Sequence, residues 1–278
     1  MCELTELTVH SSNRDYSIHN NLITLRILRS TLTQLPEFPD TLEELEIVNE
    51  SSLIIPKLPK NLRILKIYGY RNTTYGYFEH MKCDKWIIPS LEHLVHLETL
   101  SIRRLNISEL PKLPPSLVHF ECICTNLTYL PDLPISLKRL VCMENRLIQL
   151  PELPEKLEIL ECSKNSLIEI PQLPNELKHL YCHKNNIRVL PYLPSKLEIL
   201  TCCNNPLGYN VTRSWYGKTN IENFRQMRIK HSLTKFRKKL IEWLWRARNS
   251  LAKIRYHPYR INEVLNRGID IDDLELYI

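Results

Sequence analysis

The chain of 278 residues is 43% hydrophobic, which is ample for a continuous folded core. No stretch approaches the roughly 20 apolar residues that a membrane-spanning helix needs, so a transmembrane protein is excluded at this stage. The formal net charge is +6 at pH 7, and the first residues show no basic start followed by an apolar run, so we expect an intracellular protein without a signal peptide. Nine cysteines, an odd number, favour a reduced compartment over a disulfide framework.

A repeat of twenty residues organises the chain from residue 22 to residue 209. Residues 1–21 carry only a weaker start of the pattern, at Leu4, and we interpret them as an N-terminal cap. The first leucines of the nine clear repeats are Leu22, Leu42, Leu62, Leu97, Leu117, Leu137, Leu157, Leu177 and Leu197.

Each repeat reads LxxLxCxxNxLxxLPxLPxx, in which Leu140 and Cys142 alternate as the inward positions of a strand. One repeat cannot bury this face alone, whereas stacked repeats pair their strands in parallel and merge their leucines into one core. The pattern therefore predicts a solenoid with a parallel β-sheet on its concave face. Extended or short-turn segments, in which proline fixes φ and removes an unpaired donor, form its convex face.

The asparagine of each repeat is predicted to bond turn backbone across adjacent repeats, because its amide both donates and accepts. Thr125 and Leu105 replace the asparagine in earlier repeats. The asparagines that share this phase are Asn145, Asn165, Asn185 and Asn205.

Fifteen extra residues lie between Leu62 and Leu97 and form an insertion at about residues 70–90. Large amphipathic side chains of the kind enriched in binding hot spots occur there, and packing of the loop onto the scaffold is the alternative explanation for them. The candidate contacts in the insertion are Tyr75, Tyr77, Phe78 and Trp86.

Four potential zinc ligands lie in or next to this insertion, in the pairs His80 with Cys83 and His93 with His96. The second pair flanks Leu94 near a strand entrance, where surface histidines are the simpler interpretation. We therefore assign no metal and no other cofactor.

A row of cysteines occupies one inward strand position and is predicted to be buried as small apolar side chains rather than to bind a metal. The row is Cys122, Cys142, Cys162, Cys182 and Cys202. Cys2, Cys83, Cys124 and Cys203 lie elsewhere and are the more reactive candidates.

The outward strand positions vary from repeat to repeat, as protein recognition requires. Histidines there raise the question of acid–base catalysis, but no paired nucleophile or glycine-rich phosphate loop accompanies them, so we expect no enzyme. The candidate binding residues are Lys66, Tyr68, Arg103, Arg104, His119, Glu121, Arg139, His179, Tyr181, His183 and Lys184.

Residues 211–260 carry fourteen Lys or Arg against only two acidic residues. Apolar residues recur there at three- and four-residue steps, which predicts an amphipathic helix within a helical C-terminal region, residues 210–278. The simplest role is to cap the exposed end of the solenoid. Binding to nucleic acid, to an anionic membrane or to a helix-binding partner are the alternatives.

With these motifs the chain resembles the leucine-rich-repeat family in its twenty-residue LPxLP subtype, known from bacterial effector proteins and from giant DNA viruses of amoebae. The resemblance covers roughly residues 20–207. The strand cysteine, as in LVCMEN and LECSKN, and the tail WLWRARNSLAKIRYHPYRINEVLNRGIDIDDL are similar to the giant-virus members.

The resemblance implies a protein-binding scaffold of a viral or effector type, located in the host cytoplasm if viral, with the virion and the nucleus as alternatives. Well-known bacterial members add a C-terminal ubiquitin-ligase domain with a Cys-x-Asp motif. The sequence after Asn210 contains no cysteine and is too short for that domain, so ligase activity is not carried over.

Overall fold

The computed structural model describes residues 5–10, 21–30, 35, 37–49, 54–69, 86–207 and 236–240. The chain divides into two compact units, Met1–Thr219 and Asn220–Ile278. In the second unit residues 236–240 are α-helical and expose Arg237, Lys238 and Lys239. The rest of the predicted C-terminal helical region lies outside the described residues. None of the helical residues that the structure describes forms a helix long and apolar enough to cross a bilayer.

Within its described residues, the first unit is built on a parallel sheet of ten strands whose spatial order follows the sequence from β1 to β10. Each repeat thus adds one strand beside the previous one, as the twenty-residue period predicts. The strands are β1 Glu6–His10, β2 Thr24–Ser30, β3 Glu44–Asn49, β4 Ile64–Gly69, β5 Thr99–Arg103, β6 His119–Ile123, β7 Arg139–Val141, β8 Ile159–Glu161, β9 His179–Tyr181 and β10 Ile199–Thr201. The N-terminal segment also contributes a strand, because β1 pairs with β2.

The core lies on one side of this sheet and consists of leucines that repeat in register. Leu140, Leu160 and Leu180 are aligned between neighbouring strands and have no solvent exposure. Strands alternate their side chains between two faces, so the residues between these leucines point away from the core.

The chain leaves each late strand through a residue in the left-handed region of φ. Glu144, Lys164 and Lys184 have φ of 58°, 55° and 56°, and each directly precedes a ladder asparagine. This conformation costs roughly 1–2 kcal/mol for a residue with a Cβ, so it must be compensated nearby.

The asparagine amides supply that compensation by joining turns of adjacent repeats. Asn165 accepts a hydrogen bond from Leu147 N at 3.1 Å and donates to the carbonyl oxygens of Cys142 and Cys162 at 2.9 and 3.1 Å. Asn185 and Asn205 make the same set one and two repeats later. The predicted amide ladder is therefore confirmed.

The ladder ends where Thr125 replaces the asparagine. Its backbone N–H and its hydroxyl both donate to Asn145 Oδ1, at 2.9 and 2.7 Å. The threonine is fully buried and satisfied by its neighbour, which explains how this repeat tolerates the replacement.

The second proline of the LPxLP motif closes the return turn. Pro134, Pro154 and Pro174 each accept a hydrogen bond from the backbone N–H three residues later, at 3.0–3.1 Å. Those donors are the leucines that lead into the next strands, so the second proline of the motif has the same structural role in these three repeats.

We predict that Asn165→Ala lowers the free energy of unfolding by about 2 kcal/mol, because the Leu147 N–H loses its acceptor and the carbonyls of Cys142 and Cys162 each lose one of two donors. Urea denaturation followed by circular dichroism measures the change. Asn175→Ala, the same substitution at an exposed turn position, serves as the control and should change stability by under ~0.5 kcal/mol. Equal effects of the two substitutions would show that the ladder does not stabilise the solenoid.

Candidate functional site: the outer face of the sheet

The strand side chains that point away from the core form the outer sheet face, which is the face that the sequence predicts to be concave. A central row runs through the middle of the strands, from Lys66 through Ser101, Glu121, Val141 and Glu161 to Tyr181 and Thr201. Neighbours in the row lie on adjacent strands, about 4.8 Å apart. Side chains of successive repeats can therefore contact each other along the row.

The first cluster on this face centres on Glu121. Arg103 and Ser101 both donate hydrogen bonds to this carboxylate, and Arg139 Nε lies 3.7 Å from it. The guanidinium of Arg103 also lies 5.4 Å from the centre of the Tyr68 ring, within the range of a cation–π interaction. The structure thus brings together Tyr68, Arg103, Glu121 and Arg139 from the predicted set.

The carboxylate of Glu121 lies between the two arginines of this cluster. Burial alone would raise the pKa of Glu121, but the hydrogen bonds from Arg103 and Ser101 and the charge of Arg139 hold it below its ordinary value. Glu121 is therefore ionised at neutral pH and neutralises Arg103. Arg104, the next candidate binding residue, is exposed after the end of β5.

The second cluster lies at β9. The rings of His179 and Tyr181 meet edge to face, with centroids 6.3 Å apart, and His179 Nε2 lies 3.8 Å from Glu198 Oε2. Burial, with added repulsion from Lys164 and Lys184, lowers the pKa of His183. His183 is therefore neutral at physiological pH and offers a ring that both donates and accepts hydrogen bonds.

The remaining predicted residues of the face are more scattered. His119 is exposed at the start of β6, at the opposite end of the strands from Arg104. Lys66 lies in the central row of β4 and lines a shallow depression with Arg26 and Glu46. These residues belong to the same face without joining either cluster.

Glu161 is a residue of this face that sequence reasoning missed. It lies in the central row on β8, between Val141 and Tyr181, and is partly buried. Burial raises its pKa, as does the charge of Glu121, while Arg139 acts in the opposite direction. Its phase in the repeat is that of Glu121 and Tyr181, so the period itself could have identified it.

Trp86, the candidate contact of the insertion that the structure describes, contributes less to the surface than predicted. Trp86 is only 6% exposed, and its backbone N–H donates to the Asn106 carbonyl at 2.9 Å. Its prediction as a binding contact is corrected, since a ring packed onto the scaffold offers a partner little surface. Tyr75, Tyr77 and Phe78 lie outside the described residues.

The predicted zinc pairs are also only partly described. His93 Nε2 donates to the Leu58 carbonyl at 2.8 Å, which is a structural contact between repeats, and His96 is exposed. His80 and Cys83 lie outside the described residues. Within the part of the chain that the structure describes, no three His, Cys, Asp or Glu residues are grouped as metal ligands.

The cysteine row is buried, as predicted. All five of its members have no solvent exposure. Burial raises the pKa of Cys162 to about 12 and that of Cys142 and Cys182 well above the ordinary value. These side chains are therefore neutral thiols in the core.

Cys124 and Cys203 differ from this row because they are partly exposed. The thiol of Cys124 donates to Glu144 Oε2 at 3.4 Å. Cys2 and Cys83, the other two candidates for reactivity, lie outside the described residues.

We predict that iodoacetamide at pH 8 modifies Cys124 and Cys203 in the native protein and leaves the cysteine row intact. Thiolate is the reactive species, and burial suppresses it in the row. Peptide mass spectrometry measures modification at each site, and labelling in 8 M urea gives the control in which every cysteine reacts. Rapid native labelling of Cys162 would contradict the buried row.

Ten parallel strands with leucine and asparagine rows at a twenty-residue interval define the class of this protein as a leucine-rich-repeat solenoid. The chain is similar to the solved structure of YopM from Yersinia enterocolitica WA-314, with a TM-score of 0.59 and 28% identity. That match covers 72% of this chain and 42% of that chain, so this chain spans less than half the length of that protein.

A second match is YopM described as a leucine-rich effector protein from Yersinia pestis, with 26% identity and a TM-score of 0.49. It covers 69% of this chain and 64% of that chain. No protein-family model matches the chain, and no curated protein matches it.

Proposed function

We propose that this protein is a non-enzymatic scaffold that binds another protein on the outer sheet face. The observation that carries the proposal is the cluster at β9, where His179, Tyr181 and His183 present hydrogen-bonding rings away from the core. Aromatic side chains in such positions are the usual anchors of protein interfaces. The likeness to YopM, called an effector protein, supports the same function.

Several finer parts of the proposal rest on the sequence motifs. We assign the binding domain to residues 22–209, and residues 210–278 to a basic helical region that is a cap or a tail. The LPxLP subtype and the similarity to giant-virus proteins favour a viral or effector-type protein that acts on a host protein in the host cytoplasm. Nucleic-acid or anionic-membrane binding through residues 211–260 stays a prediction, because the structure describes only residues 236–240 of that segment.

We expect the double substitution Tyr181→Ala and His183→Ala to weaken partner binding at least tenfold while the chain stays folded. Both side chains lie outside the core, so their loss removes contacts and little stability. Quantitative affinity purification from extracts of candidate host cells, with the tagged full chain as bait, identifies the partner and measures its recovery.

The matched control is the double substitution Arg188→Ala and Tyr192→Ala, which truncates two exposed side chains of the convex segment. It should leave partner recovery unchanged. If the β9 double variant recovers every specific partner as well as the unaltered chain does, the outer sheet face is not the binding surface.

A further inference from the structure

Glu161 differs from the other carboxylates of the central row in its pairing. Glu46 lies 3.6 Å from Arg26, and Glu121 is bonded to Arg103. Among the described residues, no Lys, Arg or His nitrogen lies within the 4.0 Å ion-pair distance of the Glu161 carboxylate. Among the described residues, Glu161 is therefore a carboxylate of this face at β8 that has no ion pair.

From this difference we propose that Glu161 receives a Lys or Arg side chain of the protein partner. The inference rests on the proposed function, because it names the chemistry that a partner must present to the outer sheet face.

Burial makes the missing cation significant. A carboxylate that loses part of its water without gaining a counter-charge is destabilised, and the raised pKa of Glu161 is consistent with that cost. Arg139 reduces the cost from a distance, but its Nε lies beside Glu121. A cation from the partner would pair directly with Glu161, whereas the charge of Arg139 acts mainly on Glu121.

Tyr181 is the neighbour of Glu161 in the central row on β9. Its partly exposed ring lies on the adjacent strand, where an aromatic side chain can add a contact to a bound cation. Val141, the neighbour on β7, is only 2% exposed and offers a partner little surface. An acid and an aromatic ring thus lie on two consecutive strands.

Two of the cations near this position lie beside other carboxylates. Lys164 forms an ion pair with Glu144, and Arg139 lies beside Glu121. His183 is neutral because its pKa is lowered, and Lys184 is exposed after the end of β9. Glu161 is the carboxylate at β8 to which a basic side chain of the partner adds an ion pair.

Phage-displayed random dodecapeptides provide a defined probe for the full-length chain. We expect selected peptides to be enriched in Lys or Arg at one position. Glu161→Gln, which keeps the size and removes the charge, should weaken the best synthetic peptides about tenfold, as is typical for losing a charged hydrogen bond. Glu169→Gln, at an exposed convex position, is the matched control and should change nothing.

The reciprocal change is made on the peptide and needs no protein variant. Replacing its Arg by citrulline, or its Lys by Gln, should weaken binding to the unaltered chain by the same tenfold. Binding to Glu161→Gln, which has already lost the pairing, should weaken little further. If the binding free energies lost through the peptide change and through Glu161→Gln add fully when the two are combined, the pairing is overturned.

The other outcomes separate the two proposals. Peptides that lose affinity with Tyr181→Ala, but lack a basic residue or bind Glu161→Gln normally, overturn the role of Glu161 and leave the binding face in place. If no peptides bind, or if binding is insensitive to both substitutions, the proposed function fails and the inference fails with it.

Discussion

The side-chain amide of the ladder asparagine is the interaction on which the later repeats of this solenoid depend. Parallel strands that are joined by irregular segments leave many turn donors and acceptors inside the protein, where each must find a partner. Asn165 and Asn185 meet this need by accepting from the preceding repeat and donating to two carbonyls at once. The residue before each of these asparagines has a left-handed backbone conformation, which accompanies this contact.

Regular turns have a consequence for the surface. Because every repeat enters its strand at the same phase, equivalent side chains fall into rows, and neighbours in a row are close enough to form ion pairs. In the row the scaffold neutralises Glu121 through Arg103 but leaves Glu161 without an ion pair among the described residues. The pattern of paired and unpaired charges, rather than the total charge, distinguishes one part of the face from another.

Much of the fold follows from the sequence, because a twenty-residue period fixes strand order, parallel pairing, the leucine core, the cysteine row and the amide ladder together. The period also assigns residues such as Tyr181 to the outer sheet face. It does not report contacts between neighbouring rows, so the neutralisation of Arg103 by Glu121 needed the structure. Trp86 lies in the insertion, where no period applies. Amino-acid composition does not distinguish a buried tryptophan from an exposed one.

Hydrogen exchange of the amides that donate to the ladder tests the account most directly. Leu147, Leu167 and Ile187 donate to the oxygens of Asn165, Asn185 and Asn205 at 3.0–3.1 Å. The account predicts that NMR-detected exchange finds these three amides strongly protected to a similar degree, because each opens only when its repeats separate. Exchange at the rate of exposed loop amides would contradict the ladder, and with it the alignment of the face that it supports.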